Sequence, residues 1–376
     1  MTKKLNIGLI GLGYIGKIHA IAYRDIPLCF PQPPVTANLA VVLRSRLDTE
    51  VEATKSFGIA TTDPAEFYAQ PLDVVDVCTP NYLHREHVQH AVESGLAVYC
   101  EKPLASTLED ARATANLAEK TAALTQVAFV LRYVPGIRQM KALIDAGEIG
   151  EVFHFCARMF HGGYVDYNRP MSWRLRRAQS GGGAFMDLGA HLVDLTRYLL
   201  GNVATVRAAM RTFICERCTT RGSDRREPVD VDDWAHCTLE LSSGAIGVLE
   251  VTRMAAGADE ATEFEVFGNK GALLFQAREP NFVRMYDLKR QQWISGALSL
   301  PPIPGERPIE QVWPGGKYSQ GFMTNAHLAA AYDFLLNVTE RKPSQLDFRA
   351  GAAAQEVIEA AYASAARGGE LIRLPL

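Results

Sequence analysis

No stretch of the 376-residue sequence stays apolar long enough to span a bilayer, so no membrane partner is expected. There is no long run of like charge, and the net charge is only −3 at pH 7. Neither feature favours nucleic acid or a polybasic membrane anchor. The seven cysteines are odd in number and scattered. Cys215 and Cys218 form a lone C-x-x-C with no second pair, which is a weak zinc signal, and no metal is expected. Free thiols in a reducing, cytoplasmic setting are the expectation. Lys3 and Lys4 precede an apolar run, but a small-residue cleavage site is missing and glycines interrupt the run, unlike a signal peptide. Internal repeats and low-complexity tails are absent as well.

What is present is ordinary for a globular protein: 48% hydrophobic and 22% charged residues. The length exceeds one usual core, so two domains are expected, at 1–131 and 132–376, with the C-terminal helices free to pack back on the first. In the first third, short apolar runs at 6–9, 39–43, 74–78, 98–100 and 126–130 read as strands. Helical patterns at 14–24, 49–57, 84–94 and 107–121 alternate with them. Strands apolar on both faces, alternating with helices, imply a doubly wound parallel sheet. Residues 27–36, with Pro27, Pro31, Pro33 and Pro34, are expected to form a surface loop.

Beyond residue 130 the pattern changes. A linking helix at 134–146 is followed by strand-like runs at 152–160, 203–215, 234–241, 245–253, 263–267, 272–275 and 283–287, with a helix at 183–200 among them. Ser242-Ser243-Gly244 and Gly268-Asn269-Lys270-Gly271 read as hairpin turns. The fold class is therefore α/β, with a large, mainly antiparallel sheet in the second domain and helices on one side of it. Residues 298–322 read as a long loop, and helices at 324–339 and 350–367 close the chain.

Three groups of residues carry chemistry. Gly11-Leu12-Gly13-Tyr14-Ile15-Gly16 follows the first strand and opens the first helix. That context suits a dinucleotide, because the glycines permit a tight turn and the helix amides meet a pyrophosphate. The tip of the second strand carries Arg44-Ser45-Arg46, with no carboxylate until Asp48. Basic groups there suit a 2′-phosphate, so NADP is favoured over NAD as cofactor. Thr79-Pro80-Asn81 and His84 follow the third strand and are placed beside the cofactor. The fourth strand ends on Glu101-Lys102-Pro103, and a cis Lys102–Pro103 bond would turn the chain sharply there.

The third group is Asp187 and His191, four apart on a helical pattern and so on one face. Gly181 to Gly183 just before them would let backbone approach a ligand closely. His191 suits general acid–base work, and Asp187 can either orient it or hold a substrate hydroxyl. Lys102 can bind the reacting oxygen as alcohol becomes carbonyl. Less specific candidates for substrate contact are Arg132 and Tyr133 after the fifth strand, and His161, Tyr164 and Asp166 after the first strand of the second domain. The alternative for each is an ordinary packing or surface residue.

Taken in order, the glycine turn, Thr79-Pro80-Asn81, Glu101-Lys102-Pro103 and the stretch from Gly181 to His191 resemble the Gfo/Idh/MocA family of oxidoreductases. The resemblance spans nearly the whole chain. It implies a Rossmann domain followed by an α/β domain whose open sheet mediates a homodimer or homotetramer. It also implies a contact of Glu101, Trp173 and Arg174 with the cofactor, a sugar, inositol or polyol substrate, and hydride transfer in which His191, assisted by Lys102, takes the hydroxyl proton. An NAD-dependent glycosidase, a non-catalytic cofactor sensor and a dihydrodiol or biliverdin reductase relative remain as alternatives on the same fold.

Overall fold

The computed structural model describes residues 2–46, 52–258, 261–296 and 302–376. Their contacts divide the chain into two units. One is Met1–Ala105, Glu109–Tyr133 and Gly305–Ala352, and the other is Ser106–Leu108, Val134–Pro304 and Ala353–Leu376.

The first third alternates β1 (Lys3–Ile10), α1 (Tyr14–Cys29), β2 (Val35–Leu43), β3 (Ile59–Thr61), α2 (Pro64–Tyr68), β4 (Val74–Val77), α3 (His84–Glu93), β5 (Ala97–Cys100), α4 (Leu108–Thr121) and β6 (Thr125–Val127). The six strands pair in the order β3-β2-β1-β4-β5-β6, and every pairing is parallel. The order reverses at β1, which has β2 on one side and β4 on the other. Ligands of open parallel sheets bind outside the carboxyl ends of the strands at such a switch point. β4 and β5 are buried along their whole length, as strands covered on both faces must be.

Three local expectations are corrected. Pro27 lies inside α1 instead of starting a loop. Its missing N–H removes a single bond in the last turn, its ring is exposed, and Phe30 still bonds to the Ile26 carbonyl. Of the helix expected at 49–57, residues 49–51 lie outside the described residues, and Glu52–Ser56 is a 3₁₀ turn followed by the unforeseen β3. The strand expected at 126–130 ends at Val127, because a 3₁₀ turn forms at Val130–Tyr133.

The second unit opens on α5 (Pro135–Asp145) and β7 (Val152–Phe160). It continues through α6 (Arg177–Ser180), α7 (Ala190–Leu200), β8 (Val203–Arg211), β9 (Glu216–Cys218), β10 (Arg226–Pro228), β11 (Trp234–Leu241), β12 (Ile246–Thr252), β13 (Ala261–Gly268), β14 (Gly271–Gln276), β15 (Val283–Asp287) and β16 (Gln292–Ile294). The chain closes on α8 (Phe322–Glu340), α9 (Phe348–Ala366) and β17 (Ile372–Arg373). Nine strands form one sheet in the order β16-β15-β14-β13-β7-β12-β11-β8-β17. Its pairings are antiparallel except β7 with β12, which run parallel. Alternation decides the faces: Phe155, Ala157, Leu249, Val251, Phe264 and Val266 are buried, while His154 and Arg158 on the other face of β7 are exposed.

Residues 305–352 return to the first unit, and α8 packs along α1. Most of α8 from Asn325 to Asn337 is buried, as expected of a helix enclosed on all sides. Phe30 stacks on Tyr332 at a centroid distance of 4.4 Å.

Candidate active site

The carboxyl edge of the parallel sheet collects most of the residues read as functional in the first unit. Ile10 pairs with Leu43 and Val77, and Val77 pairs with Cys100. Gly11, Arg44, Cys78 and Glu101 therefore follow in one row. Gly11 has φ 95°, and a Cβ there would sit 2.8 Å from the Cys78 carbonyl oxygen. A Cβ on Gly16 would lie 2.1 Å from the Gly11 oxygen, so only glycine lets α1 start against the turn. A Cβ on Gly13 would meet nothing within 4 Å, so the space beside that residue is open. Tyr14 is exposed and Ile15 half-buried. No side chain caps α1 and no acid lies in its first turn, so its positive end is left without a cap from its own side chains. The Thr79 hydroxyl is buried without a hydrogen-bond partner among the described residues. An open glycine cradle, an uncapped helix start and an orphaned hydroxyl on the neighbouring tip fit a dinucleotide.

At the tip of β2 the Arg44 amide bonds to the Thr61 carbonyl at 2.9 Å, and Ser45 and Arg46 are exposed. Asp48 lies outside the described residues. Pro80 leads into a 3₁₀ turn, Asn81–Leu83, in which Asn81 is buried. His84 is fully buried, with Nδ1 3.0 Å from the Pro103 carbonyl and Nε2 2.9 Å from that of Thr79. Its ring thus ties two loops together.

Lys102 is half-buried and its bond to Pro103 is cis. The Glu101 side chain does not reach out of the strand tip as expected. It is buried, with Oε1 3.0 Å from His19 Nε2 and Oε2 accepting the Lys102 amide at 3.1 Å. Burial alone would raise its pKa. The hydrogen bond from His19 and the charges of His19 and Lys102 more than offset this and hold it at about 2. Arg132 and Tyr133 lie in the 3₁₀ turn after β6. Tyr133 is buried, and its hydroxyl donates to Asp333 Oδ2 at 2.9 Å.

In the second unit, Asp187 lies in a π-helical turn, Phe185–Gly189, that runs into α7. His191 stands in the first turn of α7 and is buried. Single π turns recur at functional sites because they re-aim side chains within a helix. The glycines before it make room for protein, correcting the expected approach to a ligand. A Cβ would lie 2.1 Å from the Ser106 oxygen at Gly181, 2.1 Å from the Tyr362 hydroxyl at Gly182 and 1.9 Å from the Asp232 oxygen at Gly183. Asp232 caps the helix start: Oδ1 accepts from Gly183 N and Oδ2 from Phe185 N, both at 2.8 Å. The Tyr362 hydroxyl donates to Oδ1 at 2.6 Å and accepts from Gly183 N and Met186 N. Five hydrogen bonds thus fix where the π turn begins.

Sequence reasoning missed Arg253. It follows β12, which packs against the π turn, and its Nη2 donates to Asp187 Oδ2 at 3.0 Å. The guanidinium is almost fully buried and lies 4.7 Å from the Tyr164 ring. Burial lowers the Arg253 pKa, but the charges of Asp187, Tyr164 and Asp232 outweigh it and the net shift is upward. The parallel pairing of β7 with β12 explains the grouping. Phe160 and Thr252 are register partners, so both strands deliver their loops to one sheet end. The His161 amide bonds to the Thr252 carbonyl and the Tyr164 amide to that of Arg253. His161 is half-buried, and its Nδ1 accepts from the Gly163 amide at 3.2 Å.

Tyr164, expected at the substrate, stands in a core cluster. It is buried with Leu175, Val229 and Val231, between the guanidinium groups of Arg169 and Arg253. Asp166 is exposed, near Arg221. Trp173 and Arg174 are half-buried in a 3₁₀ turn, with the Arg174 guanidinium 4.2 Å over the Trp173 ring. Between Cys215 and Cys218 sits the fully buried Arg217, which donates to the carbonyls of Tyr164 and Asp166 at 2.6 and 2.8 Å and so clamps that loop.

Two family models match the chain. One, described as an oxidoreductase family with an NAD-binding Rossmann fold, covers residues 5–129, and the other, described as the GFO/IDH/MocA C-terminal domain, covers residues 137–274. Levoglucosan dehydrogenase of Pseudarthrobacter phenanthrenivorans is 31% identical over 379 residues, covering 97% of each chain. The scyllo-inositol 2-dehydrogenase (NAD(+)) of Bacillus subtilis is 28% identical over 279 residues, covering 73% of this chain and 74% of that one. A solved structure of levoglucosan dehydrogenase in complex with NADH and levoglucosan superposes with a TM-score of 0.90 at 30% identity over the whole of both chains.

Asp187 depends on Arg253 for its charge partner. Arg253→Met keeps most of the buried volume and removes the cation. A charged hydrogen bond contributes about 1.5–3 kcal/mol, so kcat/KM for alcohol oxidation is expected to fall on the order of 10- to 100-fold with the fold intact by circular dichroism. A variant within about twofold of the parent would show that Asp187 needs no such partner.

Proposed function

We propose that this chain, which belongs to the Gfo/Idh/MocA family of oxidoreductases, moves a hydride between a secondary alcohol of a sugar or polyol and a nicotinamide dinucleotide. The observation that carries this reading is the row of strand tips. Lys102 leaves the end of β5 with its amide held by Glu101, on the same sheet edge as the glycine turn and Thr79. Gly11, Gly13, Tyr14, Ile15 and Gly16 would hold the pyrophosphate, and Thr79, Pro80 and Asn81 would lie beside the nicotinamide half. A bound nicotinamide supplies the hydride acceptor at its C4. The relatives' substrates, an anhydrosugar and an inositol, support the substrate class.

As the carbinol C–H bond breaks, the hydroxyl oxygen loses its proton and becomes a carbonyl. His191 takes that proton as general base. Lys102 donates a hydrogen bond to the same oxygen and stabilises its developing charge. Asp187, an anion against Arg253, orients the reacting groups. Running in reverse, His191 returns the proton and the carbonyl becomes the alcohol. A cofactor-sensing protein would have no use for Lys102, Asp187 and His191 together. Seven unpaired cysteines support a reducing, cytoplasmic setting.

Lys102→Ala and His191→Ala are each expected to lower turnover by on the order of 100-fold or more while the dinucleotide still binds, measured by fluorescence titration beside steady-state rates. Near-normal turnover in either variant removes that residue from its role.

The tip of β2 selects the cofactor. Arg44, Ser45 and Arg46 support use of NADP, since two cations there meet a 2′-phosphate, while the NADH-bound relative supports NAD. In Arg44→Ala/Arg46→Ala the KM for NADP is expected to rise at least about tenfold and that for NAD to change much less. Equal changes in the two constants would mean that both arginines point away from the ribose.

A further inference from the structure

His19, on α1, is 1% exposed and stands between two buried carboxylates. Its Nδ1 lies 2.9 Å from Asp76 Oδ2 on β4, and its Nε2 lies 3.0 Å from Glu101 Oε1 just past β5. Nε2 also lies 3.1 Å from Nδ1 of His327 on α8. The titratable groups around the ring are Tyr23 from its own helix, Asp76 and Cys78 from β4 and its end, Tyr99, Glu101 and Lys102 from β5 and its end, and His327 from α8, with Asp333 behind Tyr99. A neutral imidazole has one N–H and would set a lone pair against one of the two carboxylates. An imidazolium donates to both and supplies the charge that two buried carboxylates need.

We propose that His19 is a positioning residue for Lys102. Held as an imidazolium between Asp76 and Glu101, it fixes the Glu101 carboxylate, whose other oxygen accepts the Lys102 amide at 3.1 Å. That sets where the lysine leaves the strand. The inference rests on the reading of Lys102 as the group that binds the reacting oxygen. The electrostatics agree: burial lowers the His19 pKa, but the charge of Asp76, with Cys78 and the hydrogen bonds behind it, holds it well above 6.5. Burial, then the charge of His19, push His327 down to about 3, which leaves it neutral as an acceptor. The competing occupant is a divalent cation on His19, Glu101 and His327, whose ligand atoms lie within 4.8 Å of one another. It would require His19 Nε2 to be without its proton.

The test uses the full chain labelled with 15N-histidine, with His19 assigned by comparison with His19→Gln. At about pH 8, above the ordinary imidazole value of about 6.5, both His19 ring nitrogens are expected to carry protons. Metal analysis is expected to find no stoichiometric ion. Misplacement of a catalytic group by about 1 Å costs on the order of 100-fold, so His19→Gln is expected to lower kcat by on the order of 10- to 100-fold while the KM for the alcohol changes much less. Glu101→Gln, which keeps an acceptor for the Lys102 amide, is expected to lose less. An unprotonated ring nitrogen in the parent, a stoichiometric metal, or full turnover in folded His19→Gln would each overturn the proposal. If His19→Gln does not fold, Glu101→Gln with an unchanged kcat and an unprotonated His19 would overturn it. Failure of the Lys102 reading itself would appear separately, as turnover retained in Lys102→Ala.

Discussion

Burying a carboxylate costs several kcal/mol unless a cation and hydrogen bonds meet it, and the first unit buries two of them, Asp76 and Glu101, behind its strand tips. Both are met by His19, which reaches them from α1, the helix that the glycine turn opens. The turn that suits a pyrophosphate and the tip that carries Lys102 are thereby tied through one imidazole ring. Glu101 spends one oxygen on His19 and the other on the Lys102 amide, so the lysine's departure from β5 is held by the same buried charges that hold α1 to the sheet. Removing either partner would leave an uncompensated buried charge.

The second unit solves a similar problem with different groups. Asp187 lies at a helix start, and a buried guanidinium, Arg253, meets it. That arginine arrives because β7 and β12 are parallel neighbours and release their loops at one end of the sheet. The π turn that presents Asp187 is set in place by Asp232 and Tyr362, which fill the space that Gly181 to Gly183 leave. Helix start, ion pair and loop are thus three consequences of one strand order.

Much of this was legible from local pattern. Apolar runs alternating with helical spacing gave the doubly wound sheet, and the glycine turn, Lys102 and the Asp187–His191 pair stood out by type and spacing. The groups that hold them were not legible, because their partners are remote in sequence. His19 meets Glu101 across 82 positions and His327 across 308, and Arg253 meets Asp187 across 66. A histidine three residues past Gly16 and an arginine closing an apolar strand were the available signals. Each looks ordinary until topology supplies the opposing carboxylate. For the same reason the protein partners of Glu101, His84, Tyr133 and Tyr164 were not foreseen, since each lies far away in sequence or in another loop. Pro27 and β3 were missed for a local reason: a proline in a final turn costs little, and three residues are too few to show a period.

The central claim is direct hydride transfer from a carbinol carbon, and deuterium at that carbon tests it most directly. With a sugar or polyol substrate deuterated at the reacting carbon, the account predicts that each turnover leaves one deuterium on C4 of the reduced nicotinamide, with none lost to water and with a slower rate than for the protium substrate. Substrate consumed without net reduction of the cofactor, or deuterium released to solvent, would contradict it and point instead to transient oxidation followed by elimination.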